Sequence, residues 1–508
     1  MPSGRRLRRV PLCPNDAEGR LARLFRPRKA MPLFAAFSRP GLDLAAPRLR
    51  NSLLIWGLPV RLPAFGHLVS GVPLLSWVVL AYLLPVLLTL GWVTPPWQNP
   101  DEPLHMARAV QLAHGGLFGA RQWGTAGGIS DPAIYAAYMP VRHAAMHPEE
   151  ALSQADLTAS QAVRFSPAAS FVSFPNTAQY PPFFYVPGAL SYWAGWAAGL
   201  SVDATLRLIR AANAVMFAAA AAAALAIGRR ARPLLAALIL LPGTLQLACS
   251  ASQDAGTLAA TLLAVALIDR MIAERRGATS GEAACIAILL TTSALARPPY
   301  ACMLLLLFLL APRLGRREFG LTLALSVLVI AWCLLTAIFV SVRFSHADPA
   351  AQIAFVSKHA AELPAILLAT ARFYAGEYWR QFIGELGWND TFLPGSYIAL
   401  ASAVLTLSTA ASASGPARRP ALAAAALLGA VIAIFVLQYL TWTWPGQLVI
   451  TGVLGRYFTP LAMVLALALP AWRPASHLVA PAWLAIILLA ALTPAVMLHT
   501  LLVRYYIF

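Results

Sequence analysis

Apolar runs of about 14 to 24 residues recur along most of the chain, separated by short polar connections. That length crosses roughly 30 Å of hydrocarbon at 1.5 Å rise per residue. The runs are rich in Ala and Leu, as at 211–227, without the period-two alternation of barrel strands, so each is expected to be a helix. Eleven transmembrane spans are expected, within a range of 10 to 13. Nine fall at about 72–92, 206–227, 233–250, 282–296, 300–310, 319–342, 394–413, 421–440 and 478–498; a fourth span returns from near Asp254 to end at Asp269, and a tenth returns from the outer segment 441–455 to Arg473. Two long polar stretches interrupt the series, giving outer loops at about 93–205 and 343–393. Within the first, the aromatic segment 181–200 opens on Pro181 and Pro182 and is expected to lie in the outer interface without crossing. No internal repeat is visible.

Basic residues set the orientation. Arg5, Arg6, Arg8, Arg9, Arg20, Arg23, Arg26, Arg28 and Lys29 precede the first span, and Arg229, Arg230, Arg232, Arg313, Arg316, Arg317, Arg418, Arg419 and Arg473 fall in short connections. Loops retained in the cytoplasm carry such an excess, so the N-terminus is expected inside and both long loops outside. Residues 1–70 read as a basic, disordered cytoplasmic extension and 71–508 as one polytopic membrane domain.

Composition agrees. Of 508 residues, 59% are hydrophobic and only 11% charged, and the mean hydropathy is +0.68. Soluble domains carry about 25% charged residues, so this chain cannot coat a water-facing surface. The net charge of +18 would suit nucleic acid, but its distribution between spans points to membrane lipid as the partner and argues against nucleic acid. Cys13, Cys249, Cys285, Cys302 and Cys333 show no metal-type spacing and avoid both long loops, which argues against disulfides and zinc. Nothing in the sequence specifies an oligomeric state.

With only 20 acidic residues, their positions carry information. Asp101 and Glu102 lie just beyond the first span, in a run with Pro96, Trp97, Gln98, Asn99, Pro100, Pro103 and His105. A helix starting near Asn99 or Asp101 is expected, which would put Asp101, His105 and Arg108 on one face. There the two acids either cap the helix and complement its dipole, or supply a carboxylate that takes a proton from a hydroxyl or holds a divalent ion. Asp254 at the outer end of the third span either marks the water boundary or reaches the same site. In the second loop Lys358, Arg372, Glu377, Arg380, Glu385 and Asp390 alternate with aromatics, as suits an interfacial helix or a cradle for lipid phosphate. Arg297 and Arg456 are further outer-face cations. His143 and His147, spaced i, i+4, are a weak metal signal.

Several stretches carry a resemblance: Asn99 to His105; Gln179 to Pro182 with Tyr185, Pro187 and Gly188; Ser250 to Ala255; Ala296 to Tyr300; Gly384 to Trp388; and Gly455 to Phe458. Their order resembles a bacterial membrane-protein family catalogued as domain of unknown function 2142, over roughly residues 75–470. That family is similar to the GT-C class of glycosyltransferases. The similarity implies an all-α integral membrane fold with interfacial helices in the first outer loop, located in the bacterial cytoplasmic membrane. It also implies transfer of a sugar from a polyprenyl-phosphate donor, by inversion, to an envelope glycan, lipid or protein. Asp101 would then be the base and Glu102 would orient the acceptor or a divalent metal, Mg or Mn, with His105 as a further metal candidate. Asp254 would support the site. Arg108, Arg297, Arg372, Arg380 and Arg456, assigned from their own positions and not from the resemblance, would meet the donor or its phosphate. The sequence departs from the better-known enzymes at Pro103, Leu104 and His105. The competing functions are a glycolipid transporter or flippase, and a non-catalytic scaffold of polysaccharide assembly.

Overall fold

The structure is a computed structural model that describes residues 53–55, 58–60, 74–313, 315–342 and 347–507. The chain divides into two units, Met1–Leu68 and Val69–Phe508. Of the first, and of the extension expected over 1–70, only a two-stranded antiparallel pair, Leu53–Ile55 with Leu58–Val60, is described.

The second unit is helical. Among the described residues, six helices are long and apolar enough to cross a membrane: Leu74–Val93, Val202–Ile227, Asp254–Ala273, Arg316–Phe339, Pro420–Thr441 and Pro474–Tyr505, the last opening with a 3-10 turn. Burial separates centre from periphery. The most apolar stretch of Asp254–Ala273 is 83% buried inside the protein and that of Arg316–Phe339 only 17%, so the first is a central helix and the second presents its surface to lipid. The small side chains from Ala218 to Ala224 let Val202–Ile227 approach its neighbours closely, where bilayer helices associate by packing and not by a hydrophobic drive.

The other expected spans are shorter or broken, which departs from eleven full-length crossings. Segment 233–250 forms two helices, Arg232–Ile239 and Pro242–Ala248. Pro242 has no N–H and forces Leu241 out of the helical region, to φ −64° and ψ 135°. Nearly every side chain of the pair is buried, so protein surrounds the break, and a broken helix at membrane depth is tolerated there. Ser280–Ala296, the 3-10 helix Pro298–Leu309, Gly395–Ala411 and Thr459–Ala468 complete the set.

The first loop is not purely helical. Helices Glu102–Ala113, Ala133–Tyr138 and Gln154–Ala162 accompany a three-stranded antiparallel sheet of Ala120–Gln122, Thr125–Ser130 and Ser170–Ser173. Gly127 permits the pairing: a Cβ there would stand 1.9 Å from the Val172 carbonyl oxygen. Segment 181–200 contains the helix Val186–Ala197, whose 12 residues span about 18 Å and cannot cross a bilayer. Its Trp193 and Trp196 are exposed, as membrane-interface anchors are.

The second loop holds Pro349–Lys358 and Ala360–Phe373, bent by 87° at their junction, and then Ala375–Gly384. It touches the first loop. The Met146 N–H donates to Asp390 at 3.1 Å, and Trp388 Nε1 donates to the Trp97 carbonyl at 2.9 Å. The two loops therefore share one face of the membrane. Exposed Ala155 and Ser357 report on that face. Cysteines at both positions are expected to react with an impermeant maleimide added outside intact cells; labelling of either only after permeabilisation would contradict an extracytoplasmic placement.

Candidate functional site

The turn after the first span is held in a costly backbone conformation. Trp97 and Asp101 both have positive φ, 68° and 60°, which L residues rarely adopt. Trp97 is fully buried, and its indole donates to Asp203 at 2.9 Å and Ser160 at 3.3 Å. The helix begins at Glu102, but Asp101 makes no side-chain cap bond. Its carboxylate turns instead to Arg456, 3.1 Å away. Helix capping therefore does not account for Asp101.

Glu102 has different partners. It is fully buried and accepts two bonds from Arg210, at 2.8 and 2.6 Å, one from Asn99 and one from the Ala251 N–H. Arg210 also donates to the carbonyls of Gly91, Thr94 and Pro95. This clamp joins the end of the first span, the Val202–Ile227 helix and the turn before Asp254. It sets Asp101 and Asp254 in place, and it occupies the carboxylate that was expected to orient an acceptor or metal.

Asp254 opens its helix and meets Arg297 at 2.6 Å. The Arg297 guanidinium lies 4.5 Å from the centre of the Tyr457 ring, and that of Arg456 lies 5.9 Å from it. The second loop fixes this corner, since the Gly455 N–H donates to Gln381 at 2.8 Å. Arg456 Nε is buried and has no hydrogen-bond partner, which leaves donor capacity for an anion. His105 stacks against Tyr180 and Tyr185, with Nδ1 2.7 Å from the Tyr185 hydroxyl. Asp101, Asp254, Arg456 and Arg297 all act electrostatically on His105, so the four charges surround one place.

Burial lowers the His105 pKa to about 4, against the pull of Asp101 and Asp254, so the ring is neutral at pH 7. The folded value lies below the unfolded one. The stability this gives is present above about 6.5 and is lost as pH falls towards 4. Thermal melting of the wild type is expected to drop across that window with uptake of at most about one proton. His105→Gln should flatten the drop, and an equal drop in that variant would contradict the assignment.

The other candidates lie elsewhere. Arg108 is buried and donates to the carbonyls of Gly116, Leu117 and Tyr180, so it braces the first loop and does not join Asp101 on a common reactive face. Arg380 pairs with Glu385 at 3.0 Å, and Arg372 is exposed on the Ala360–Phe373 segment. His143 and His147 pair separately with Asp156 and Glu149. Among the described residues no three His, Cys, Asp or Glu side chains come together to hold a metal. Asp101 and Asp254 each face an arginine, and His105 turns Nδ1 to a tyrosine. This donor set does not fit a resident Mg or Mn ion. Trp97 and Tyr457 stand in the sequence motifs without a role assigned to them, and Arg210 is absent from the sequence reading; an arginine inside an apolar run is the signal that finds Arg210.

These features define a mainly helical, multi-pass membrane protein with a partly buried charge cluster where its loops meet its helices. The chain belongs to the family described as predicted membrane protein (DUF2142), which it matches over residues 84–465. No curated protein and no solved structure matches it.

Proposed function

We propose that the protein is a GT-C-like inverting glycosyltransferase. It moves a sugar from polyprenyl phosphate to an envelope glycan, lipid or protein at the outer face of the bacterial cytoplasmic membrane. Its N-terminus is inside. The observation that carries the reading is the uncapped Asp101, held at positive φ against Arg456 and beside the Asp254–Arg297 pair. Strain kept at a charged, partly open position is typical of reactive sites.

The step uses this chain's own groups. Asp101, with a quarter of its side chain exposed, takes the proton of the acceptor hydroxyl. The acceptor oxygen bonds to the anomeric carbon as the bond from that carbon to the phosphate oxygen breaks. The electron pair leaves with polyprenyl phosphate, and Arg456 and Arg297 meet its charge. Asp254 holds Arg297, and His105 fills the wall beside Asp101 as a neutral ring. A transporter would be expected to carry ionisable groups near mid-span, whereas Asp101 and Asp254 stand at helix starts.

Purified protein in liposomes is expected to release free polyprenyl phosphate from one member of a donor panel when acceptor is present. Chelation of divalent ions should leave that rate unchanged. Inertness across the panel would contradict the reading.

A further inference from the structure

A second polar site lies on the other face of the membrane. Asp101 follows the C-terminal end of Leu74–Val93, and the start of the same helix, about 30 Å away, borders a cavity of about 420 Å³. Its lining is Leu75, Arg229, Arg230, Arg232, Pro233, Ser414, Val479 and Trp483. The volume falls within the roughly 300–1,000 Å³ of small-molecule sites.

Three arginines line it, and the acids close by are already engaged. Asp269 accepts from the N–H groups of Arg229 and Ala231, at 2.6 and 3.1 Å, and lies 3.6 Å from Arg230. Glu274 pairs with Arg270 and Arg276 at 2.9 and 2.7 Å, and only distantly with Arg229 at 3.7 Å. Arg230 is buried and donates to the carbonyls of Ala466 and Leu469, so it is fixed in place. Arg232 donates through Nη2 to Ala226, while its Nε is buried without a hydrogen-bond partner; Arg230 Nε faces Asp269 in the 3.6 Å ion pair. The cavity is thus bordered by one unspent donor, Arg232 Nε, and by excess positive charge.

Its remaining walls are apolar. Leu75 and Val479 stand in the first turns of two helices, and the apolar stretches of both spans are only 28% buried in the protein, so the cavity opens beside surface that faces acyl chains. Trp483 adds an aromatic of the kind enriched at membrane interfaces. Basic pockets between transmembrane helices receive anionic lipid headgroups. We infer that this cavity binds the phosphate of an anionic glycerophospholipid, in the leaflet opposite the Asp101 cluster. The site does not depend on the transfer reaction.

The test is thermal melting of the purified full-length protein in neutral detergent. Phosphatidylglycerol is expected to raise the melting temperature by about 3 °C or more over an equal amount of phosphatidylcholine. Arg232→Gln should remove at least half of that rise. So should Ser414→Phe, which fills the cavity without changing charge. Asp101→Asn should keep the whole rise. Equal effects of the two lipids, or an unchanged rise in both cavity variants, would overturn the inference. Loss of the rise in Asp101→Asn would move the lipid to the other site. The same protection by inorganic phosphate alone would assign the cavity to a free anion and overturn the lipid.

Discussion

Arg210→Ala is expected to prevent stable folding in the membrane. Arg210 is 1% exposed and Glu102 not at all, and the pair is tied to three backbone carbonyls and the Ala251 N–H. Removing one member of a buried pair leaves the other charge without compensation, at a cost of about 3–5 kcal/mol. Total folding stabilities are only about 5–15 kcal/mol, so a large share of the margin is lost. Expression and melting of Arg210→Ala and Glu102→Gln should fall together with activity. The double variant Glu102→Leu with Arg210→Met should recover part of the loss, because no unpaired charge remains. Wild-type melting of Arg210→Ala would contradict the clamp.

That clamp also shows where sequence reasoning stops. Long apolar runs announce six helices among the described residues, because a helix that crosses the hydrocarbon must be long and apolar whether lipid or protein surrounds it. Asp101, Asp254, Arg297 and Arg456 were all visible as charges at span ends, and the fold brings these four together although Asp101 and Arg456 are 355 residues apart. The pairing of Glu102 with Arg210 was not legible, since neither its partner nor its burial follows from local pattern. Glu102 looks like half of an acidic pair, yet it meets Arg210 and the Ala251 N–H while Asp101, itself at positive φ, meets Arg456. The break at Pro242 lies in a run whose hydropathy is unbroken. The strands around Gly127 are too short, and too poor in β-branched residues, to stand out.

Asp101→Asn is expected to leave the fold intact and to remove turnover. Asn keeps the shape, and it adopts positive φ at least as readily as Asp. No cap bond is lost, because Asp101 makes none. The contact with Arg456 is partly exposed, so loss of its charge should cost about 1 kcal/mol or less. Asn cannot take a proton from an acceptor hydroxyl, and removal of a general base lowers rates by about 10²–10⁴. The contrast with Arg210→Ala is the point of the pair: one loses activity with the fold, the other loses activity alone.

The measurement that tests the account most directly is acceptor-dependent release of polyprenyl phosphate by wild type and Asp101→Asn, compared at matched membrane expression and matched melting temperature. A fall of about a hundredfold or more, with melting unchanged, is the predicted result. Turnover within about threefold of wild type would contradict it, since a lost base costs far more than that.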